Sequence, residues 1–366
     1  MLNTFGSSIK ITFSGTSHGP EIGLVIEGLP AGLAIDGEAI RAALAIRRPD
    51  AAISTSRSEP DRYEIRSGAP GGITDGTPVR FSIPNVDIRS ADYDPLRHTP
   101  RPGHADYPAY VKSDGTEDLR GGGIHSGRMT ALFMIAGAIA ESVLRRHGIV
   151  VGSHILSVKD IRDRPFDPIA IAPESLQRLS KMPFPLLDGS LEERMKETIA
   201  EAKMRADTVG GIVETAVVGL PAGAGEPLFD SLESRLASIL FSVPAVKGVE
   251  FGDGFAIAGK YGSEAKDEYA YDAEGRVVTI ANHNGGIVGG MATGMPVIVR
   301  SAIKPTSSIG LAQRTVDLRT KENVTIVVGG RHDPSIVHRA VHVIDAAVRF
   351  ALFDLLAEGK PDSWFR

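Results

Sequence analysis

The sequence has no cysteine among its 366 residues, which excludes disulfide bonds, thiolate metal ligands and cysteine nucleophiles. It also has no excess of basic residues. Its 40 Lys and Arg against 45 Asp and Glu give a net charge of −5, which argues against a general nucleic-acid-binding protein. No apolar run reaches the roughly 18 residues of a membrane span. We therefore expect neither nucleic acid nor membrane as a partner, and a cytoplasmic location.

Glycine is abundant, with 41 residues in short clusters between apolar runs, a pattern typical of tight turns and close backbone approaches. Several apolar runs alternate with polar residues and predict antiparallel strands. The predicted strands are residues 9–13, 23–27, 78–83, 211–218, 277–281, 296–302 and 324–328. Helices are predicted after Asp36, over 126–147, after a capping box at Ser190–Glu193, from Asp230, and over 335–357.

The segment 126–147 is apolar on nearly every side, so we expect it to be buried between layers. A short repeat supports a duplicated architecture: Gly-Leu-Pro-Ala-Gly occurs at 28–32 and at 219–223, each time between a predicted strand and a helix. The sequence thus predicts an α+β fold, a β-α-β sandwich with a helical layer between antiparallel sheets and an internal pseudo-twofold repeat. We expect a single domain over 1–366, with two similar halves of about 1–205 and 206–366.

Two glycine-bordered loops present histidines. His18 follows the first strand within Gly15–Gly19, and His104 lies in the proline-rich segment 97–107 beside Asp106, which could orient it. Histidine suits proton transfer near neutral pH. For His18 the alternative is a turn with an incidental histidine.

A glycine run, 121–123, leads into the apolar helix between Arg120 and Arg128. A helix N-terminus offers N–H groups to an anion, and arginines add bidentate contacts. The run is neither a Walker A loop nor a dinucleotide fingerprint. It indicates a phosphate or flavin site of another type, or else a helix start without a ligand.

Two more polar segments follow predicted strands: Lys304-Pro305-Thr306-Ser307-Ser308, and Gly330-Arg331-His332-Asp333-Pro334. The first could bind phosphate oxygens or the edge of a heterocycle. In the second, Asp333 either begins the next helix or serves as a base, and Arg331 could bind an anion. Arg47 and Arg48 are either anion ligands or cations that suit the end of their helix.

Other chemistries have less support in the sequence. It has no HExxH motif and its ten histidines lack ligand spacing, so we expect no catalytic metal. It has no GxSxG nucleophile elbow either, which argues against a serine hydrolase.

Taken in order, these clusters resemble the motifs of the chorismate synthase family, FGESHG, RRRPG, RPGHAD, RGGGRSSARET, KPTSS and GRHDP. The resemblance runs from Phe5 to about Ala357 and includes Gly225–Asp230 and Pro244–Phe255. It implies a carbon–oxygen lyase that forms chorismate by anti 1,4-elimination of phosphate from 5-enolpyruvylshikimate 3-phosphate, the last common step of aromatic amino acid biosynthesis. It also implies a requirement for reduced FMN and a homotetramer.

The resemblance implies roles for residues as well. His104 would protonate the departing phosphate, His18 would protonate or hold the reduced flavin, and Asp333 would help to take the ring proton. The substrate anions would be bound by Arg47, Arg48, Arg128 and Arg331, and Arg47 is also where the family places a nicotinamide contact. The flavin would contact His125, Ser126, Ala245, Gly289, Lys304, Thr306, Ser307, Ser308 and Arg331. Because the sequence contains no separate nicotinamide domain, an external flavin reductase is expected, with NADPH as an indirect reductant.

The sequence departs from the family motifs near the expected flavin and anion pocket. The departing residues are Thr16, Asp50, Ile124, His125, Met129 and Pro244. The glutamates absent at Thr16 and Met129 motivate one alternative, a flavin-binding paralogue without elimination activity. Another alternative, a structural protein rich in glycine turns, does not explain so many arginines and histidines beside glycines.

Overall fold

In the part of the chain that the structure describes, sixteen short strands and seven α-helices occur without a regular alternation. The computed structural model describes residues 3–48, 53–54, 59–87, 98–118, 120–329 and 332–366. The strands are β1 (Thr4–Phe5), β2 (Lys10–Gly15), β3 (Glu21–Glu27), β4 (Glu64–Ser67), β5 (Val79–Pro84), β6 (Val150–Val158), β7 (Ile161–Arg162), β8 (Gly211–Val218), β9 (Val246–Phe251), β10 (Tyr269–Tyr271), β11 (Val277–Thr279), β12 (Ile287–Val288), β13 (Met291–Ala292), β14 (Val297–Ile303), β15 (Ala312–Asp317) and β16 (Glu322–Val327). The α-helices are α1 (Gly37–Ile46), α2 (Asp106–Lys112), α3 (Ala131–Leu144), α4 (Pro173–Leu179), α5 (Glu192–Met204), α6 (Leu232–Ser242) and α7 (Val337–Ala357).

Two five-stranded antiparallel sheets form the outer layers, with strand orders β1-β2-β3-β5-β4 and β7-β6-β8-β14-β9. Helices α3 and α7 pack against each other between them. Helix α7 reaches both sheets, since Phe350 meets Phe5 of β1 edge-on and the helix also packs against β6 and β8. The predicted α+β sandwich with a helical layer between antiparallel sheets is confirmed.

Helix α3 is the centre of the core, and all but two of its residues are buried. A helix without a polar face is stable only where apolar neighbours surround it. Phe133 meets Phe13 of β2 edge-on on one side. On another side Gly137 lies so close to Ala346 of α7 that an added Cβ would stand 2.5 Å from the Ala346 Cβ. The absence of a side chain at Gly137 therefore sets the distance between the two helices.

The stretch Arg120–His147, which contains α3, is the one part of the described residues that is long and apolar enough to cross a membrane. Of its apolar window, 83% is buried inside the protein. That burial identifies it as a core helix.

Helix starts follow the capping rules, although two of them differ from the prediction. Asp36 caps α1 as predicted, accepting from the backbone N–H groups of the second and third helical residues. Helix α6 is capped by Ser231, one residue after the predicted start at Asp230. Before α5, the side chain of Asp188 accepts from the Ser190 N–H, so the predicted Ser190–Glu193 capping box is wrong. The Asp188 carboxylate, rather than the Ser190 hydroxyl, caps the turn that leads into α5.

The element order repeats. When the elements inserted between them are left out, each half has two antiparallel strands, a helix, two more strands and a core helix in the same order: β2, β3, α1, β4, β5 and α3, then β6, β8, α6, β9, β14 and α7. The two Gly-Leu-Pro-Ala-Gly turns have matching contacts. Gly32 N–H donates to the Thr74 carbonyl at 2.7 Å, and Gly223 N–H donates to the Ala292 carbonyl at 2.8 Å. The sequence repeat thus has a structural counterpart.

Strand β6 was not predicted, although it is the longest strand and is buried throughout. It belongs to the second sheet through its pairing with β8. The second sheet therefore begins near residue 150, whereas the division of the chain into halves at about 205 remains a prediction.

We predict that Gly137→Ala lowers the free energy of unfolding by roughly 1–3 kcal/mol, because the new methyl group overpacks the α3–α7 contact. Thermal and urea unfolding measure the change. Gly189→Ala is the matched control, since a Cβ at Gly189 meets nothing within 4 Å and its backbone is not left-handed. Equal stability of the two variants would contradict the close approach.

Candidate active site

A cavity of about 590 Å³ opens where the beginnings of α3 and α7 and the ends of α1 and α6 meet. Its volume is within the range of small-molecule and cofactor sites. Among its lining residues, five cationic side chains face three carboxylates, so the wall carries net positive charge. These charged residues are Arg47, Arg101, Arg128, Lys304, Arg339, Glu59, Asp61 and Asp333.

The proline-rich loop and the Lys304–Ser308 segment are joined at one side of the cavity. The Lys304 ammonium donates to the Gly103 carbonyl, which also accepts from the Ser307 hydroxyl at 2.7 Å. Arg101 donates to the Ser308 hydroxyl at 3.2 Å. Burial, and secondarily Lys247, lowers the pKa of Lys304 from its usual value. Two segments separated by 200 residues in sequence thus form a single polar wall.

His104 is oriented by a buried carboxylate. Its Nδ1 lies 2.6 Å from Asp106 Oδ1, and Arg101 binds the same carboxylate through Nε at 2.7 Å and Nη2 at 2.8 Å. Burial alone would raise the pKa of Asp106, but the hydrogen bonds from Arg101 and His104 hold it well below its usual range. A carboxylate bound to one ring nitrogen fixes the orientation of the imidazole. His104 is therefore held rigidly at the cavity wall.

The glycine run lies directly over the histidines. A Cβ on Gly121 would overlap the His18 ring at 1.9 Å, and one on Gly122 would lie 3.4 Å from the His104 ring. The Ser17 N–H donates to the Gly123 carbonyl at 3.1 Å. Gly121 is needed because a side chain there would overlap the His18 imidazole, whereas Gly122, with φ of +88°, is favoured by its left-handed backbone.

Arg47 and Arg128 share one carboxylate. Asp61 Oδ2 accepts from Arg47 Nη2 at 2.8 Å, and Asp61 Oδ1 makes a short contact with Arg128 Nη1. Burial lowers the pKa of Arg47 to about 10, partly offset by Asp61, and Arg47 stays protonated at neutral pH. Arg128 is also held by Asn85 Oδ1, which accepts from Arg128 Nε at 2.9 Å.

Asp333 also lines the cavity, and its carboxylate pairs with Arg339 in the first turn of α7 at 3.2 Å. The Asp333 carbonyl accepts from the Thr306 hydroxyl at 2.7 Å. Arg339 Nε also donates to the Arg47 carbonyl at 3.1 Å. Arg339 thus connects the Asp333 side of the cavity with the arginine side.

An apolar wall comes from the end of α6 and the residues after it, Phe241, Val243, Pro244 and Ala245. Ala245 has φ of +73°, the left-handed region that costs a residue with a Cβ roughly 1–2 kcal/mol. Its carbonyl accepts from the Lys304 N–H at 2.9 Å, which holds the strained backbone at the cavity. Strain of this kind concentrates at functional sites.

Most of the predicted site residues line the cavity. They are His104, Asp333, Arg47, Arg128, His125, Ser126, Ala245, Lys304, Thr306, Ser307 and Ser308. His18 lies behind Gly121, just outside the lining residues. Arg331 lies outside the described residues.

Arg48 and Gly289 are not at the cavity. Arg48 is exposed and donates to the Pro60 carbonyl at 2.6 Å. Gly289 lies in the turn between β12 and β13 with φ of +61°, the counterpart of Gly71, with φ of +63°, in the first half. The pattern Gly-Gly-x-x-x-Gly-x-Pro-Val occurs at both places, so the turn itself accounts for this glycine. Its flavin contact remains a prediction without support from the cavity.

Three functional candidates were missed in the sequence: Asp61, Glu59 and Arg339. Arg339 had a detectable signal, because a cation in the first turn of a helix opposes the helix dipole and needs a carboxylate partner. Nothing in the sequence distinguishes Asp61, whose importance comes from two arginines in distant elements.

The departures from the family motifs divide into two groups. Ile124, His125 and Pro244 line the cavity, whereas Thr16 and Met129 do not. Met129 is buried in the core at 4% exposure. The two positions that lack the family's glutamates are therefore not among the lining residues, and Asp50 lies outside the described residues.

Among the described residues no group of three or more His, Asp or Glu side chains could hold a metal ion. The cavity combines a carboxylate-held histidine, a second carboxylate and paired arginines around a hydroxyl-rich wall. Fold and site together define an enzyme that acts on a small anionic molecule.

Comparisons with known proteins agree with this class. Residues 9–357 match the chorismate synthase family. A chorismate synthase of Methanosarcina barkeri is 44% identical over 96% of this chain and 95% of its own length, and one of Pyrococcus abyssi is 43% identical over 96% of both. A crystal structure of chorismate synthase covers 97% of this chain and 93% of its own, with a TM-score of 0.73 and 27% identity. The chain belongs to the chorismate synthase family, which confirms the prediction and makes it a lyase of aromatic amino acid biosynthesis.

We predict that Ala245→Gly leaves the free energy of unfolding equal or raises it by up to about 1 kcal/mol, because glycine adopts a positive φ without strain. Ala245→Val should lower it by roughly 2 kcal/mol, since a β-branched residue is a genuine outlier there. Thermal unfolding measures both. Ala206→Gly, with φ of +54° away from the cavity, is the control for strain alone. A destabilised Ala245→Gly would show that the positive φ is not a source of strain.

Proposed function

We propose that this chain converts 5-enolpyruvylshikimate 3-phosphate into chorismate by anti 1,4-elimination of phosphate, with reduced FMN bound in the same cavity. The observation that supports this most is the convergence of four polar clusters on one cavity, with the fifth, at His18, packed behind Gly121. That cavity brings His104, Asp333 and the Arg47–Arg128 pair together with the Lys304–Ser308 wall. An elimination that expels an anion and removes a proton needs all of these groups.

The residues present fit a flavin. A planar heterocycle needs a wall of small residues and hydrogen-bonding groups, and the cavity offers Ala245, Ser126, His125 and the Thr306–Ser308 hydroxyls. When bound, the reduced flavin supplies electron density transiently to the reacting carbon skeleton. The proposed contact at Arg331 falls outside the described residues.

The proton movements are assigned to three residues of this chain. His104, oriented by Asp106, donates a proton to the departing phosphate as its carbon–oxygen bond breaks. Asp333 helps to accept the ring proton, and its pairing with Arg339 keeps it in place. His18, packed beneath Gly121, would protonate or hold the reduced flavin. General acid–base groups of this kind contribute typically 10²–10⁴-fold to a rate.

The substrate's phosphate and carboxylates are assigned to the arginine side. Arg47 and Arg128 line the cavity, and guanidinium groups bind such anions bidentately. Arg339 joins them as a third cation. For Arg48, which is exposed and outside the lining, the structure supports no contact with the substrate.

We also propose a cytoplasmic homotetramer that receives its reduced flavin from an external reductase, with NADPH as the indirect reductant. Exposed aromatic side chains on the second half are candidates for subunit contacts, because aromatic residues are enriched in protein interfaces. Phe229 is 92% exposed, Phe255 89% and Tyr271 78%. Analytical ultracentrifugation tests the tetramer, and a monomer at assay concentration would contradict it.

The experiment that tests the function is anaerobic chorismate formation from the phosphorylated substrate with dithionite-reduced FMN. We expect release of one phosphate per chorismate. Folded, flavin-loaded protein that forms no chorismate would favour the paralogue without elimination activity instead.

We predict that His104→Ala lowers turnover by roughly 10²-fold or more, because the leaving phosphate loses its acid. FMN affinity, measured by fluorescence titration, should change little. His147→Ala is the control, because His147 is exposed and stacks on Trp364, away from the cavity. Turnover of His104→Ala close to that of the control would remove His104 from the mechanism.

A further inference from the structure

Asp61 joins two arginines that come from different parts of the fold. Arg47 follows the end of α1, and Arg128 lies in the turn before α3. Each arginine gives one nitrogen to a different oxygen of the Asp61 carboxylate. The three side chains are 1–4% exposed, yet all three residues line the cavity. The bridge is therefore shielded from bulk water while it borders the ligand space.

The backbone at Asp61 is shaped for this position. Its φ of +51° is left-handed, a conformation that aspartate and asparagine tolerate better than most residues with a Cβ. Burial alone would raise the pKa of Asp61, but Arg47 and Arg128 together lower it below its usual value. Asp61 is accordingly an anion at neutral pH.

Arg47 keeps N–H donors that this bridge does not use, and Arg128, which also donates through Nε to Asn85 and through Nη2 to the Pro84 carbonyl, keeps fewer. Arg47 Nη1 reaches only the Thr130 hydroxyl, at 3.3 Å, and Arg47 Nε has no hydrogen-bond partner among the described residues. A guanidinium has five N–H donors, so one shared carboxylate cannot saturate two of them. A second anion can bind beside the first without breaking the bridge.

We propose that Asp61 is a positioning residue: its carboxylate is a resident anion that fixes the spacing of Arg47 and Arg128, so that their remaining donors receive an anionic group of the substrate. Asp61 also limits the excess positive charge, so that released phosphate is not retained. This role deepens the proposed function and rests on it for its activity readout. It assigns no chemical step to Asp61.

The first test is Asp61→Asn, which keeps the shape and tolerates the backbone conformation but removes the charge. We expect kcat/KM to fall by roughly tenfold or more, because one partner of a buried charge pair is lost. Inhibition by inorganic phosphate should become roughly tenfold stronger, since the two cations then lack their resident anion. Unchanged kcat/KM together with unchanged phosphate inhibition would overturn the proposal.

The second test is Asp61→Gly, which opens an anion-sized gap without backbone strain. Sodium formate should restore kcat/KM of this variant and raise its melting temperature, while sodium chloride at equal ionic strength should not. Formate should leave the wild type and Asp61→Asn unaffected. A folded Asp61→Gly enzyme that formate does not restore would show that Asp61 is structural only. If the glycine variant does not fold, the phosphate inhibition of Asp61→Asn decides alone.

Asp354→Asn is the matched control. Asp354 is equally buried and pairs with Arg235 at 2.9 Å, but it caps the backbone of residues 7–9 and is not at the cavity. It should lower the melting temperature with no change in phosphate inhibition. The wild-type assay separates the two hypotheses: an inactive wild type contradicts the proposed function, whereas an active wild type with insensitive Asp61 variants contradicts only the positioning role.

Discussion

Helices α3 and α7 approach each other closely where Gly137 faces Ala346, and the position of the cavity follows from that contact. Because the helices are held this near, the segments that lead into them also converge. Arg128 and Thr130 precede α3, while Arg339 and Ala340 belong to the first turn of α7, and all four line the cavity. A looser crossing would separate the two sets of charged groups, so the apolar core determines the geometry of a polar site.

The duplicated element order explains how one cavity acquires two chemistries. The C-terminal ends of the equivalent helices α1 and α6 meet there. Helix α1 is followed by Arg47, and α6 is followed by the apolar wall that ends at Ala245. Similarly, β5 leads to Asn85, which holds Arg128, while β14 leads to Lys304. The first half thus supplies the paired arginines and the second supplies hydroxyls and an apolar surface. Both halves therefore have the same backbone arrangement. Because different residues follow their equivalent helices and strands, one side of the cavity suits an anion and the other suits a heterocycle.

Much of this could be predicted from the sequence because the clusters border glycine and proline turns whose constraints are local. The seven predicted strands are present, as are α1, α3, α5, α6 and α7, but helices α2 and α4 and strands β4, β9 and β15 were not predicted. Strand β6 was missed because it carries buried polar side chains that no local rule predicts. His154 bonds Glu214 at 3.0 Å and Asp163 at 3.2 Å, and Ser153 bonds Thr215 at 2.8 Å. Only partners distant in sequence make such a strand stable in a core.

The same limit applies within the site. Asp61 and Arg339 matter because of arginines and carboxylates that the chain brings near them only on folding. Ala245 was selected by resemblance, but its positive φ is a property of the folded backbone. Gly289, by contrast, was also selected by resemblance, but the positive φ of its turn is enough to explain a glycine there.

Electrostatics connects these observations. Burying a guanidinium is costly unless a carboxylate accompanies it, and in this acidic chain every arginine of the described cavity wall has one. Asp61 serves Arg47 and Arg128, Asp106 serves Arg101, and Asp333 serves Arg339. Two of these carboxylates have a second task, because Asp106 orients His104 and Asp333 is the proposed base. The ion pairs that stabilise these cations in the interior therefore also position the groups proposed to move protons. An incoming anion would bind to charges that are already in place.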